Sequence, residues 1–424
     1  MRLQLIFSFI LAGSFTAQAQ NSSDQASSDP VSSLNDSLQK DTTKWKDLDA
    51  IKVNFVYSYY EQDGIHSPVT GGIGDEALKD NVVKMTVNVP VKKWLDVSLM
   101  GGIDYYSSAS TDNINNEHDL YVETSASYID KRKYCDAGLA FKSAKTGIDY
   151  GVNIGYSKEW DVESINGGAY IAKTTKDKNT QLKLQGSFYK DQWELIYPVE
   201  LRPVDGTDLL DEEVKLLYDV SLTWSQVVNK RFQFSLSVEG IYQEGLLSTP
   251  FHRVYFNDLT HDIERLPKYR RKLPIGLFAN WYMNDLSVMR LYYRWYIDDW
   301  GLLSNTAQID VPFKVGRLFI VTPFYRFYQQ YEAKYIRPFG TADPNEQYYS
   351  ADFDLSGFNA HKPGLDIRYS PVYGFLNRVK KSGRHQPFRF KSVNIRVAKY
   401  FRYNYEGIIL KAFIVTSALT FEIK

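Results

Sequence analysis

The sequence predicts an all-β chain, a transmembrane antiparallel β-barrel of about 16–18 strands with a disordered N-terminal tail. Three observations predict it: long segments that alternate apolar with small or polar residues, aromatic side chains gathered at segment ends, and an N-terminus built for export.

The chain opens "MRLQLIFSFILAGSFTAQAQ". Arg2 supplies a positive start, Leu3 to Ala12 an apolar stretch, and Ala17-Gln18-Ala19 a small-x-small cleavage site, so residues 1–19 read as a signal peptide. No Cys follows the expected cut, which excludes a lipid anchor there. Residues 20–44 are rich in Ser, Asp and Gln and hold few large apolar groups. They cannot offset their own ordering entropy and are expected to form a disordered periplasmic tail. The composition shifts at Trp45, and the barrel is expected over residues 45–424.

Composition narrows the class further. Lys+Arg and Asp+Glu balance at 50 each, so no bulk field draws the chain to nucleic acid. Cys135 is the single cysteine, which excludes an internal disulfide. No later run of 18 apolar residues marks a membrane helix. A mean hydropathy of −0.37 does not argue against a membrane, because barrel strands hide their apolar residues by alternation.

The alternation runs through the chain in order. In 95–106, Val97, Leu99, Ile103 and Tyr105 oppose Ser98, Gly102 and Asp104. In 147–160, Ile148, Tyr150, Val152, Ile154 and Tyr156 oppose Asp149, Gly151, Asn153, Gly155 and Ser157. In 231–242, Phe232, Phe234, Leu236 and Val238 oppose Gln233, Ser235, Ser237 and Glu239, and Phe413, Val415, Leu419 and Phe421 repeat the pattern at the end. Such segments run about 10–14 residues, the length a tilted strand needs to cross a bilayer. Tight turns are expected at 91–95, 130–132, 228–231, 283–285 and 314–317, and long loops at 62–80, 107–117, 204–213, 246–267 and 332–360. Turns belong in the periplasm and long loops outside, with both termini periplasmic. An 18-strand count requires 194–202, "ELIYPVELR", to be a strand; the connection 373–387 keeps 16 open.

The run "GGIGDE" at 71–76 could cradle a phosphate, but no helix pattern follows it. It is read as the flexible tip of the first external loop, with Asp63, His66, Gly71, Gly72 and Gly74 as candidate external-loop residues.

The blocks "VNFVYSYYEQDGIHSPVTGGIGDE", "SASTDNIN", "LIYPVELR", "GLLSTPFHRVYF", "RLYYRWYIDDWG" and "DFDLSGFNAHKPGL" resemble those of a domain-of-unknown-function family of bacterial outer-membrane β-barrel proteins. The resemblance covers nearly all of the mature chain and carries no established activity. It implies an outer-membrane location. It also implies association with periplasmic thioredoxin-like or flavin-attaching lipoproteins, and thus an envelope redox or maturation role.

Candidate chemistry is sparse. His66-Ser67 beside Asp63 suggests a hydrolase, yet neighbouring loop residues rarely form a nucleophile–base pair, so no catalytic residue is assigned. His252, His261 and His361 fall in different long loops, and Asp352 and Asp354 lack the spacing of a calcium loop, so no metal and no cofactor is expected. The informative feature is one face of the C-terminal half. If Met289, Leu291, Tyr293, Trp295 and Ile297 meet lipid, then Arg290, Tyr292, Arg294, Tyr296 and Asp298 line the lumen. The same parity turns Asp310, Arg326, Tyr328, Asp366, Arg368, Asn394 and Arg396 inward, because an Arg on the lipid face costs about 2–4 kcal/mol near the midplane. Cys135 then faces lipid. Two functions fit: a porin-like or transport barrel, and a non-conducting structural partner or anchor for those lipoproteins. An outer-membrane hydrolase stands third. The expected partners are outer-membrane lipid, lipopolysaccharide and the barrel-assembly machinery, with no nucleic acid.

Overall fold

Period-two alternation resolves into long strands. The computed structural model describes residues 48–108, 130–143, 145–201, 212–371 and 388–423. The first strands are β1 (Ile51–Gly64), β2 (Leu78–Lys92), β3 (Leu95–Ser108), β4 (Asp130–Ser143), β5 (Ile148–Lys158), β6 (Val162–Thr174) and β7 (Thr180–Glu194). They continue through β8 (Glu212–Asn229) and β9 (Phe232–Gly245) to a short hairpin, β10 (Arg253–Tyr255) and β11 (His261–Ile263). The wall then resumes with β12 (Tyr269–Tyr282), β13 (Val288–Asp298), β14 (Leu303–Asp310), β15 (Phe313–Val315), β16 (Phe319–Tyr331), β17 (Phe358–Tyr369), β18 (Phe388–Asn404) and β19 (Gly407–Ile423).

Each long strand pairs antiparallel with its neighbours, and β1 pairs with both β2 and β19, so the sheet closes on itself. β14 and β15 share one position against β16, which makes the closed wall a sixteen-strand barrel. Closure leaves no sheet edge, the condition under which strands can sit in hydrocarbon. Among the described residues no helix is long and apolar enough to cross a membrane.

The outward face carries Leu99, Val152, Ile154, Leu184, Val220, Leu291, Tyr293, Ile367 and Leu419, all well exposed on strands spread around the barrel. In water such a belt would be a large unsatisfied apolar surface; against lipid tails it is matched. Cys135 lies on this exposed face.

Three expectations are corrected. The sixteen-strand count holds and eighteen does not: Leu195 and Ile196 are buried in a connection, followed by a short 3₁₀ turn, Val199–Leu201. Residues 130–132 are not a turn but the start of β4. His361 is not in a loop but within β17, where its ring meets Tyr325. The turns expected at 91–95, 228–231, 283–285 and 314–317 stand. The signal peptide, the tail, most of the loops at 107–117 and 204–213, and segment 373–387 lie outside the described residues.

One end of the barrel carries the turns 93–94, 230–231, 283–287 and 316–318, and the other the long connections 65–77, 246–268 and 332–357 together with short turns such as 405–406. At the long-loop end the segments pack on each other. Val254, Phe256, Ala342, Tyr349 and Ala351 form a buried cluster between the β9–β12 and β16–β17 connections. The β1–β2 connection joins it: the ring of His66 stacks on Phe353 at 3.7 Å and 3°, and Arg253 Nη1 donates to the Val69 carbonyl at 2.8 Å. The segment read as a flexible tip is therefore packed. Gly71 and Gly72 are buried at φ of 82° and 88°. A Cβ on Gly71 would lie 2.5 Å from the Tyr255 ring, and one on Gly72 would lie 3.0 Å from the Ala351 carbonyl.

Candidate functional site

The less exposed face of β12–β18 carries the charged residues singled out above. On β13 the exposed positions are Leu291, Tyr293 and Ile297, and the residues between them, Arg290, Tyr292, Arg294 and Tyr296, turn to the less exposed face, with Asp298 buried at the strand's end. On β16 the same alternation sets Phe324, Arg326, Tyr328 and Gln330 opposite exposed Tyr325 and Tyr331. Lys362, Asp366 and Arg368 follow on β17, and Asn394, Arg396 and Arg402 on β18.

Strand register decides which of these meet. Arg290 stands opposite Asp310, Asp366 opposite Arg396, and Arg368 opposite Asn394. Arg326 stands between Gln308 on one side and Lys362 on the other. Its Nε donates to Gln308 Oε1 at 2.6 Å, and Gln308 Nε2 donates to Asp310 Oδ1 at 2.8 Å. Asn394 Nδ2 donates to Asp366 Oδ2 at 3.1 Å. The Arg396 guanidinium lies 3.7 Å from the Phe324 ring centre, and Arg294 lies 6.0 Å from that of Tyr296. Tyr328 donates to Gln330 Oε1 at 2.5 Å.

Asp298 is committed elsewhere. It accepts from Arg270 Nε at 2.8 Å and from Tyr296 OH at 2.7 Å, at the long-loop end. Arg402 is likewise fixed, 2.6 Å from Asp354. Beside Lys272, Arg290 and Arg368, which also stand in no short ion pair among the described residues, four cations group together: Arg294, Arg326, Lys362 and Arg396. Arg326 lies within electrostatic range of Arg294 and Arg396, and Lys362 of Arg326 and Arg396. Among the described residues none of the four stands in an ion pair within 4.0 Å.

The β2–β9 stretch carries both signs, with Lys84 on β2, Arg132 on β4 and Lys183 on β7 beside its carboxylates. Asp80, Asp104, Asp136, Asp219 and Glu239 occupy the less exposed face of β2, β3, β4, β8 and β9. One of them is paired, Arg132 lying 3.7 Å from Asp104, and Lys215 lies 3.3 Å from the neighbouring Asp191 on β7. Both signs therefore occur on both stretches of the sheet, with Lys84 and Lys183 on β2 and β7 and with Asp310 and Asp366 on β14 and β17.

The parity reading of β13, β16, β17 and β18 omitted Lys362, Arg270 and Arg402. Extending it would have found two of them, since Lys362 shares the parity of Asp366, and Arg402 that of Arg396. Of the external-loop candidates, Asp63 falls within β1, while His66, Gly71, Gly72 and Gly74 fall in the β1–β2 connection. His66 Nδ1 lies 2.8 Å from the Gly72 carbonyl and Nε2 3.0 Å from Glu406 Oε2, so its ring ties the loop to the β18–β19 turn.

A closed antiparallel barrel with an apolar outer belt and a charged interior defines a transmembrane barrel of outer-membrane type. Residues 25–375 match the family described as "Protein of unknown function (DUF3570)", and the chain belongs to that family. No curated protein matches it. Among solved structures it is similar to a bacterial polysaccharide outer membrane secretin, at 9% identity and a TM-score of 0.46 over 89% of this chain and 100% of that one. It is also similar to the outer membrane protein opdK from Pseudomonas aeruginosa, at 10% identity and 0.39 over 87% and 98%. The siderophore receptor PirA from Pseudomonas aeruginosa matches at 10% identity and 0.39, over 89% of this chain and 62% of that chain.

Proposed function

We propose that the barrel is a conduit of the outer membrane that admits small anionic solutes, with Arg294, Arg326, Lys362 and Arg396 as its selective element. One observation carries the reading. Arg326 and Lys362 are direct cross-strand partners, and like charges so placed destabilise a sheet unless something of opposite sign lies between or before them. Barrels of sixteen strands are wide enough for an aqueous channel. The long-loop end is taken as external and the packed loops as a cap over the mouth.

The experiment is a reversal potential across a planar bilayer under a salt gradient. The wild type should prefer anions. Arg326→Gln with Lys362→Gln, checked for folding by heat-modifiable gel mobility, should move the reversal potential toward cation preference. A folded wild type that never conducts would overturn the conduit reading and favour the structural anchor. A conducting double variant with unchanged selectivity would remove these cations from it.

A further inference from the structure

Two long connections bring together three side chains that the sequence keeps far apart. The β10–β11 hairpin sets His252 and Glu264 side by side, with Glu264 N donating to the His252 carbonyl at 2.8 Å. Arg265 and Tyr349 then exchange backbone hydrogen bonds, which lays 350–352 against the hairpin. Ser350 Oγ donates to Glu264 Oε1, and Asp352 N donates to Ser350 Oγ at 3.0 Å. One donor atom from each of His252, Glu264 and Asp352 falls within 4.8 Å of the other two. His252 Nδ1 lies 3.7 Å from Glu264 Oε1.

We propose that His252, Glu264 and Asp352 form a site for a first-row divalent cation, Zn²⁺ being the best fit, which staples the β9–β12 connection to the β16–β17 connection. Three features support it. All three residues are buried, at 2%, 1% and 2% exposure. Asp352 Oδ1 accepts from Asp354 N, but its Oδ2 is buried and takes part in no hydrogen bond, an oxygen with a lone pair to give and no donor beside it. Arg402 is spent on Asp354, and among the described residues no Lys or Arg stands in an ion pair with Glu264 or Asp352, so two buried carboxylates share one imidazole.

The donor set selects the ion. Imidazole disfavours Ca²⁺ and Mg²⁺, which prefer oxygen alone, and the absence of thiolate or thioether among these three disfavours Cu⁺. Bonds of about 2.0–2.2 Å place tetrahedral donors about 3.4 Å apart, so binding requires the three side chains to close by about 1 Å. Rotamer adjustment supplies that much. The site is independent of the conduit reading, since it acts on the loops and not on the barrel interior.

The test uses the untagged full chain, folded in detergent, stripped with EDTA and given Zn²⁺ alone. Metal content by mass spectrometry should settle at about one Zn²⁺ per chain, and protease cleavage in 246–268 should slow on loading. Asp352→Asn preserves shape and removes the charge; its folded barrel should bind Zn²⁺ at least ~10-fold more weakly, and Ca²⁺ should not compete. His252→Gln gives the same reading should Asp352→Asn fail to fold. Sub-stoichiometric Zn²⁺ on the folded wild type overturns the site, as does wild-type affinity in either folded variant.

Discussion

At the scale of single residues, Gly71 separates two ideas of what the glycine run is for. Its left-handed φ is one that other residues adopt only at a cost, and the Tyr255 ring fills the space a side chain would need. Gly71→Ala should therefore lower stability by about 1–3 kcal/mol, read as faster protease cleavage of the capping loops with the barrel wall intact. Gly316 has a φ of 65° and nothing within 4 Å of a built Cβ, so Gly316→Ala tests conformation without crowding and should cost less. Equal protection in wild type and Gly71→Ala would return the segment to the flexible tip first expected. The glycines themselves were legible in the sequence, but their packing was not. It depends on Tyr255, Phe339 and Phe353, contributed by connections far along the chain, and no local pattern announces such a meeting. The same holds for His252: read as a loop residue in water, it is buried against Glu264.

At the scale of elements, strand parity was the legible part, because a misplaced charge on the lipid face is expensive while loops are free to vary. Parity put Arg290, Arg294, Arg326, Arg368 and Arg396 on one face, and each occupies a less exposed position of its strand. Boundaries were less legible. "DKR" looks like a turn, yet Lys131 and Lys133 point outward at the strand's end, with Lys131 Nζ over the Tyr105 ring at 5.0 Å, as long cationic stems do at a membrane rim. The 159–161 connection offers a pH test outside the strands. Burial pushes the Glu159 carboxyl up to about 8, against the opposing pull of Arg132, and Tyr106 OH donates to it at 3.0 Å. The folded protein holds this proton more tightly than the unfolded chain. Its contribution is thus complete below the unfolded value of 4.5 and disappears as pH rises through about 8. Thermal unfolding in detergent should shift downward over that window, and Glu159→Gln should flatten the slope; an unaltered slope in the variant would exclude Glu159 as its source. Sidedness has its own check. In a Cys135→Ser background, Asp343→Cys should react with an impermeant maleimide on intact cells, whereas Lys93→Cys and Asn284→Cys should react only after the outer membrane is opened. Labelling of Lys93→Cys on sealed cells would reverse the orientation.

At the scale of the whole molecule, the barrel is fastened along a single junction. β1 pairs with β19 along its entire length, from Ile51 opposite Ile423 to Gly64 opposite Leu410, and Phe421 sets its ring edge-on to both Phe55 and Phe390 across that line. The junction dictates a timetable. The strand that leaves the ribosome first waits for the one that leaves last, so no partial length of chain can complete the cylinder. Throughout export β1 holds an open row of amide and carbonyl groups, a standing invitation to pair with another molecule. Until β19 pairs, the sheet is an unfinished ribbon, and that strand works as a latch: before it closes, the open edge is a hazard to neighbouring molecules.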